Sequence, residues 1–484
     1  MIIYSTIVVK QNKHRMTIMK KSLLLFAALL SLSEISAQQT INTPLVDQTP
    51  QTRQLIERNM EFRKEVIQVA DNVYTAVGFD ASNITMIEGD DGVIIIDAGK
   101  IPELVEEVYA IFRSITDKPI TAIIFTHGHG DHTQGVPVFL ADNRPQIWAA
   151  ENFGRENEFP SAAGLVNPRG HRQNGMTLSP EVRINNGVAP LVYPGGKYSG
   201  DNEQKRLALT QYKPFDKSII TNFVSNDRET ITISGVTLQL IRTYGETSDH
   251  LAVWYPEQRV IFPGDQFYKS FPNLYAIRGT EYRDVLKWIE ALDTLLKYDA
   301  SAMAQGHTRP IIGAENVKRA VTNMRDAIKF VFDKTIEGIN LGMTPDQLVE
   351  YVVLPEPLAS DPNLVQYYGR VEWAVRNIFS GYMGWYDGNP TTLRPLSPAV
   401  ESEKFAKAVG GIDKLKELAT TALAEGDYQW AAELSDRLIV LEPENNSFKL
   451  IKADALNGLA DNLETATGRN FYNTVANELR GETK

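Results

Sequence analysis

Four metal-capable side chains crowd into the seven residues Thr126-His127-Gly128-His129-Gly130-Asp131-His132, directly after the apolar run Ile120–Phe125. The chain has only seven histidines, and three of them stand in this window. A short apolar run bounded by polar residues reads as a buried strand. In an extended segment alternate side chains share a face, so His127 and His129 point the same way and can hold one cation. The turn that follows can aim Asp131 and His132 at a second, with Gly128 and Gly130 letting the backbone bend between ligands. A polar loop of satisfied histidines is the plain alternative, and the spacing favours the metal. The chain contains no cysteine. Disulfides, thiolate metal sites and a cysteine nucleophile are therefore excluded, and any metal rests on imidazole and carboxylate.

Around the motif the pattern alternates. Asn72–Val77, Asn83–Glu88 and Gly92–Asp97 read as consecutive strands, the last almost wholly apolar and therefore buried. Ile101–Ile115 reads as an amphipathic helix with Leu104, Val108, Ile111 and Ile115 on one face. Strand signals return at Thr230–Ile233, Val236–Ile241, Leu251–Tyr255 and Val260–Phe262. Such alternation predicts a layered α/β domain. Residues 151–215, rich in Asn, Gly, Pro and Arg, read as long loops over the site. After a break near Pro310–Gly313, Val317, Val321, Met324, Ile328 and Val331 recur at helical spacing, in a helix running towards Gly342. Further helices are predicted over 400–460, with a turn at Gly426-Asp427-Tyr428.

At the N-terminus, Lys20 and Lys21 precede the apolar run Ser22–Leu32, and small residues Ser36 and Ala37 stand before Gln38. This predicts an export signal over residues 1–37 and a periplasmic or secreted chain. The run is too short to span a bilayer comfortably, so no stable membrane association is expected, an uncleaved leader acting as an anchor being the alternative. The formal net charge is −11, and loss of residues 1–37, with five basic residues and one acid, leaves −15. Such a balance argues against nucleic acid as a partner, because phosphate backbones select basic surfaces. The expected organisation is 1–37 signal peptide, 38–60 polar linker, 61–312 α/β catalytic domain, 313–460 helical domain and 461–484 tail.

The His-rich motif resembles the signature of the metallo-β-lactamase fold, and further blocks narrow the resemblance. Pro263-Gly264-Asp265, the stretch Asn273-Leu274-Tyr275-Ala276-Ile277-Arg278-Gly279, Tyr368-Gly369 and Gly384-Trp385-Tyr386-Asp387-Gly388-Asn389-Pro390 are similar to the linear alkyl sulfatases, in consistent order from Val73 to Leu479. The resemblance implies an αββα sandwich followed by an all-α dimerisation domain, and a homodimeric sulfuric ester hydrolase acting on a small-molecule sulfate ester. It also implies two zinc ions per chain, although iron or manganese suits the same donors. His127, His129 and Glu246 would hold one ion, and Asp131, His132 and His307 the other, with Asp265 between them. That set leaves room for a bridging water, ionised to hydroxide by the metal pair, as the attacking group. The candidate catalytic residues are thus Asp131, Asp265 and His250, the last, four residues after Glu246, as a proton donor, an outer partner or simply a satisfied surface histidine. Asp265 is one methylene shorter than the glutamate of the best-known alkyl sulfatases.

The resemblance further implies a sulfate pocket of Asn273, Tyr275, Arg278 and Arg283, where a guanidinium can give two parallel hydrogen bonds to an oxyanion. Phe267, Tyr268 and Phe271 form either a slot for an alkyl tail or plain core. Asp97, ending its strand, reads either as an outer partner of a ligand histidine or as a turn residue. Family members often continue into a sterol-carrier-like module. This sequence stops at Lys484 without it, so shorter or differently shaped esters are expected. Two other readings stay open: another hydrolase of the same fold (lactamase, lactonase or phosphodiesterase), and a non-catalytic metal-binding protein. Glu246 in place of a histidine and the Asn273–Arg278 block weigh against the first.

Overall fold

The structure is a computed structural model that describes residues 48–140, 144–164, 169–179, 182–190 and 216–482. The expected signal peptide and the first part of the expected linker lie outside the described residues. Residues 50–60 of that linker are folded: Pro50–Arg58 is a helix, capped by the Thr49 hydroxyl, that buries Leu55. Here Pro and Thr act as helix-start residues rather than as linker composition.

Two mixed sheets lie face to face. The first orders β1 (Glu65–Ala70), β2 (Val73–Val77), β3 (Ile84–Glu88), β4 (Val93–Ile96), β5 (Ile120–Ile124), β6 (Gln146–Ala150) and β7 (Asn222–Val224). Its β1–β4 part is antiparallel and its β4–β7 part parallel. The second orders β13 (Ile311–Ile312), β12 (Ala302–Met303), β11 (Val260–Phe262), β10 (Leu251–Tyr255), β9 (Val236–Arg242) and β8 (Arg228–Ile233). Strand β1 escaped the sequence reading because it is an edge strand in which only Val69 is buried.

Alternation along β4 explains the layers. Ile94 and Ile96 face Leu238, Leu240, Val253 and Phe262 of the second sheet, whereas Ile95 faces Val105, Val108 and Phe112 of the helix Pro102–Ile115. Each isoleucine buried this way contributes about 1.5–3 kcal/mol over exposure. Of the expected face Val108 is fully buried and Ile111 packs half-buried against the same core, whereas Val105 and Phe112 replace Leu104 and Ile115 at its centre and Ile115 is 37% exposed. Two apolar ladders interleave in this segment, and the sheet selects the one rotated by about 100°, a single residue step.

The outer face of the second sheet is covered by Val285–Leu295 and by Ala314–Asn340, whose Val317, Val321, Met324, Ile328 and Val331 join Ile241, Trp254 and Ile261. The helix expected to open a separate domain at 313 is thus the second outer layer of the sandwich. Beyond it come Val371–Met383, then Pro398–Val409, Ile412–Glu425, Tyr428–Leu441 and Asn446–Asp461. Gly426 takes the left-handed conformation that ends one helix, and the Asp427 carboxylate accepts the Trp430 N–H to start the next. The expected tail is a further helix, Ala466–Arg480. The Ala466 N–H donates to the Tyr367 carbonyl, and Arg172 pairs with Glu478 at 2.7 Å.

Candidate metal centre

Parallel pairing of β4 with β5 sets Ile96 beside Ile124, so the loops that leave both strands open on one edge. Asp97, the first residue after β4, has φ of 56°, a region that non-glycine residues seldom adopt. Three contacts offset that strain. Asp97 Oδ1 accepts the Thr126 N–H at 2.8 Å, and Oδ2 accepts the Thr126 hydroxyl at 2.8 Å while standing 2.7 Å from His132 Nδ1. The second sheet supplies Glu246 before β10, Asp265 after β11 and His307 after β12. A hydrogen bond from the Leu251 N–H to the Thr126 carbonyl, 2.7 Å, ties the two sheets together here. At Gly306 a Cβ would lie 2.4 Å from Asp265 Oδ1 and 2.7 Å from His132 Cε1, so a glycine is required for this loop to pass.

These loops bring two ligand groups together: His127, His129 and Asp265, and Asp131, His132 and His307. Asp265 Oδ2 is 3.8 Å from His127 Nε2, 3.4 Å from His132 Nε2 and 3.2 Å from His307 Nε2. Asp131 Oδ2 is 3.5 Å from His307 Nε2 and 4.0 Å from His132 Nε2. Donors on a tetrahedron with bonds of about 2.0–2.1 Å stand about 3.3 Å apart, so both clusters have the size of a coordination shell. Their buried Asp265 Oδ1 and His132 Nε2 have no hydrogen-bond partner, and His127 Nε2 faces His129 Nδ1 at 2.9 Å. Opposed lone pairs of this kind suit a divalent cation, so the residues present fit the implied metal pair. Asp265 lies between the groups, as expected of a bridging ligand. Glu246 stands at the edge of the first, with Oε2 4.0 Å from His129 Nδ1, and its oxygens are engaged by Tyr268 Oη at 2.7 Å and Arg283 Nη2 at 3.1 Å.

Burial opposes ionisation of Asp265, but His307 and His132 outweigh it and hold this carboxyl well below the usual carboxylate range. Burial also pushes His132 down, and there Asp265, Asp97 and Asp131 win and raise it well above its ordinary value. His127 goes the other way, lowered by burial and by the neighbouring imidazoles.

A cavity of about 230 Å³ opens on the centre, lined by His129, Asp131, Glu246, Asp265, His307 and Arg278, with Lys100, Gln173, Arg183 and Tyr368 around them. Of the four expected sulfate-pocket residues, Arg278 alone among the described residues is on this wall. Arg283 is 2% exposed and lies behind Glu246, also donating to the Asn273 carbonyl. Asn273 is buried and gives its N–H to Tyr268 Oη, and Tyr275 is half-buried off the wall. The Asn-Leu-Tyr block thus supports the wall rather than forming it.

His250 is also placed differently from a proton donor. It is buried, stacks on His127 with ring centroids 4.1 Å apart, and faces Thr247 Oγ1 through Nδ1 at 2.9 Å. Burial lowers it to about 3, so it stays neutral. Phe267 and Phe271 are core rather than a tail slot, and the Tyr268 hydroxyl serves Glu246.

The sequence reading missed Glu156. Its Oε2 lies 2.7 Å from His129 Nε2, and its Oε1 lies 3.8 Å from Arg278 Nη2. It belongs to the helix Arg155–Ala162, which carries an internal Pro160 and shows no apolar stripe, so periodicity gave no signal there. Tyr368, noted only within a family block, lines the cavity, and burial pushes its phenol far above the usual range.

An αββα sandwich whose strand-end loops join two His/carboxylate clusters defines the class: residues 77–307 match the metallo-β-lactamase superfamily, and residues 344–482 match the alkyl sulfatase dimerisation family. The chain is 34% identical over 408 residues to a linear primary-alkylsulfatase of Pseudomonas sp., covering 82% of this chain and 74% of that one. It is 29% identical over 429 residues to the alkyl/aryl-sulfatase BDS1 of Saccharomyces cerevisiae, covering 86% of this chain and 64% of that one. The solved stereoselective inverting sec-alkylsulfatase Pisa1 from Pseudomonas sp. superposes with a TM-score of 0.77 at 26% identity, over 89% of this chain and 67% of that one. The chain belongs to the metallo-β-lactamase-fold alkyl sulfatases.

Proposed function

We propose that this protein hydrolyses alkyl sulfate esters to an alcohol and inorganic sulfate at a dinuclear centre. The observation that carries the reading is the Asp265 carboxylate shared between two histidine groups, with Arg278 on the wall of the same cavity. Two bound divalent cations would supply Lewis acidity and a water of lowered pKa. His127, His129 and Asp265 would hold one ion and Asp131, His132 and His307 the other, with Glu246 at the edge of the first group. Zinc is the proposed metal, the His and carboxylate donors also suiting iron or manganese.

Within the protein, Arg278 takes the sulfate oxygens through its planar fork and offsets charge growing on the leaving group. Lys100 and Arg183, on the same wall, add two cationic groups that offset its carboxylates Asp131, Glu246 and Asp265. Arg283 acts through Glu246, holding that carboxylate towards His129. The test is sulfate release from alkyl sulfates of graded chain length, with and without chelator, against nitrocefin and a phosphodiester. Turnover of the phosphodiester without sulfate release would end the reading.

Two further parts belong to the same proposal. The chain acts as a homodimer, in keeping with the match over 344–482 and with exposed Tyr382, Met383 and Trp385 after Val371; sedimentation of a Trp385→Glu variant as a monomer, against a dimeric parent, tests it. It is exported to the periplasm or beyond, and N-terminal sequencing of the mature protein tests that. Among the described residues no helix is long and apolar enough to cross a membrane.

A further inference from the structure

We infer that Glu156 is a positioning residue for the first metal group, fixing the His129 ring so that Nδ1 faces the centre. The inference rests on the dinuclear reading above and adds a residue to it. His127 and His132 each turn one ring nitrogen to the centre and the other to a fixed partner: Thr126 Oγ1 at 3.1 Å for His127 Nδ1, and Asp97 Oδ2 at 2.7 Å for His132 Nδ1. His129 is reversed. Its Nδ1 faces His127 Nε2, so its Nε2 needs the outer partner, and Glu156 Oε2 stands there at 2.7 Å. A ligating imidazole is held in one tautomer and one orientation by whatever binds its second nitrogen.

The segment carrying Glu156 is built into the site. The Gly154 N–H donates to Asp249 Oδ2 at 2.6 Å, and the Asn152 side-chain amide donates to the Ser248 carbonyl at 2.9 Å, so residues 152–156 are clamped to the loop that bears Glu246. Gly128, between the two histidines, would carry a Cβ 2.7 Å from Gly154 Cα. The glycine spacing of the motif therefore serves the approach of the Glu156 segment as well as the bend between ligands. On its other side Glu156 Oε1 lies 3.8 Å from Arg278 Nη2, so one carboxylate touches both a metal-facing ring and the wall guanidinium.

The test is a titration of metal-free protein with Zn²⁺ against a chromophoric chelator. Wild type should take up two ions, and Glu156→Ala should weaken one of the two by about 10–100-fold, while Glu156→Gln, whose carbonyl still accepts from Nε2–H, stays within about threefold of wild type. Equal binding of both ions by wild type and Glu156→Ala would overturn the inference, as would a Glu156→Gln variant as weak as Glu156→Ala. A wild type that binds fewer than two ions would instead overturn the dinuclear reading. Nitrogen NMR of the metal-free wild type needs no variant: at a pH where the ring is neutral, His129 should carry its proton on Nε2, and a proton on Nδ1 would refute the assignment.

Discussion

The Arg283 guanidinium stands 3.1 Å from the Glu246 carboxylate, and both side chains are nearly inaccessible to solvent, at 2% and 3%. A buried ion pair gains little over an apolar pair of the same shape, but removal of one partner strands the other charge. Arg283→Ala should therefore lower the unfolding free energy by about 3–5 kcal/mol, read from urea denaturation. A loss below about 1 kcal/mol would show that Glu246 does not depend on it.

Arg278 calls for the opposite signature. Its side chain is 23% exposed, on the cavity wall, and its ion pair to Glu156 is long at 3.8 Å. Arg278→Ala should leave stability within about 1 kcal/mol of the parent and raise KM at least about tenfold, and Arg278→Lys should not restore it, because an ammonium lacks the planar fork. Unchanged KM in both variants would remove Arg278 from the sulfate site.

Asp265→Asn keeps the volume of the proposed shared ligand and removes its charge. His132 and His307 lose the carboxylate whose oxygen lies 3.4 and 3.2 Å away. Turnover should fall below detection while the circular dichroism spectrum stays native, and metal analysis should return fewer than two ions. Normal turnover would remove the bridging assignment.

The metal-free centre fixes the sign of a pH dependence. Burial depresses His132 and His307, but Asp265, with Asp97 and Asp131 at His132 and with Asp131 at His307, raises both above the ordinary imidazole value of 6.5. A cation must displace those protons. Affinity at this pair should fall as pH falls, with the dependence setting in above 6.5, whereas His127, already neutral, adds nothing in the neutral range. Calorimetry in buffers of different ionisation enthalpy should record proton release on binding at pH 7. The same raised values stabilise the metal-free fold below the unfolded imidazole pKa and are lost as pH rises through the folded one. Proton uptake on binding would contradict this picture.

The readable part of the site was local. His127, His129, Asp131 and His132 lie within six residues after a strand whose apolar run is plain; two-residue alternation pairs His127 with His129, and the turn that follows sets Asp131 and His132 apart. Glu246, Asp265 and His307 came only through resemblance, because a single acid or histidine after a strand carries no pattern of its own. Glu156 came through neither, lying in a stretch without periodicity. Helix register failed similarly at Pro102–Ile115, where two apolar ladders compete and only the sheet beneath chooses.

By itself the sequence determined eight of the thirteen described strands, β2–β5 and β8–β11, the helices Pro102–Ile115 and Ala314–Asn340, the helical run over 400–460 and the contiguous ligand motif, because these follow from side-chain spacing along a few neighbouring residues. Tertiary structure alone decided that Asp265 lies between both histidine groups, that Arg278 faces the cavity while Arg283 is buried behind Glu246, and that His250 packs rather than donates. Those outcomes depend on which strand ends meet at one edge and on how closely backbone can pass backbone at Gly306 and Gly128, and neither is encoded in any short window of residues.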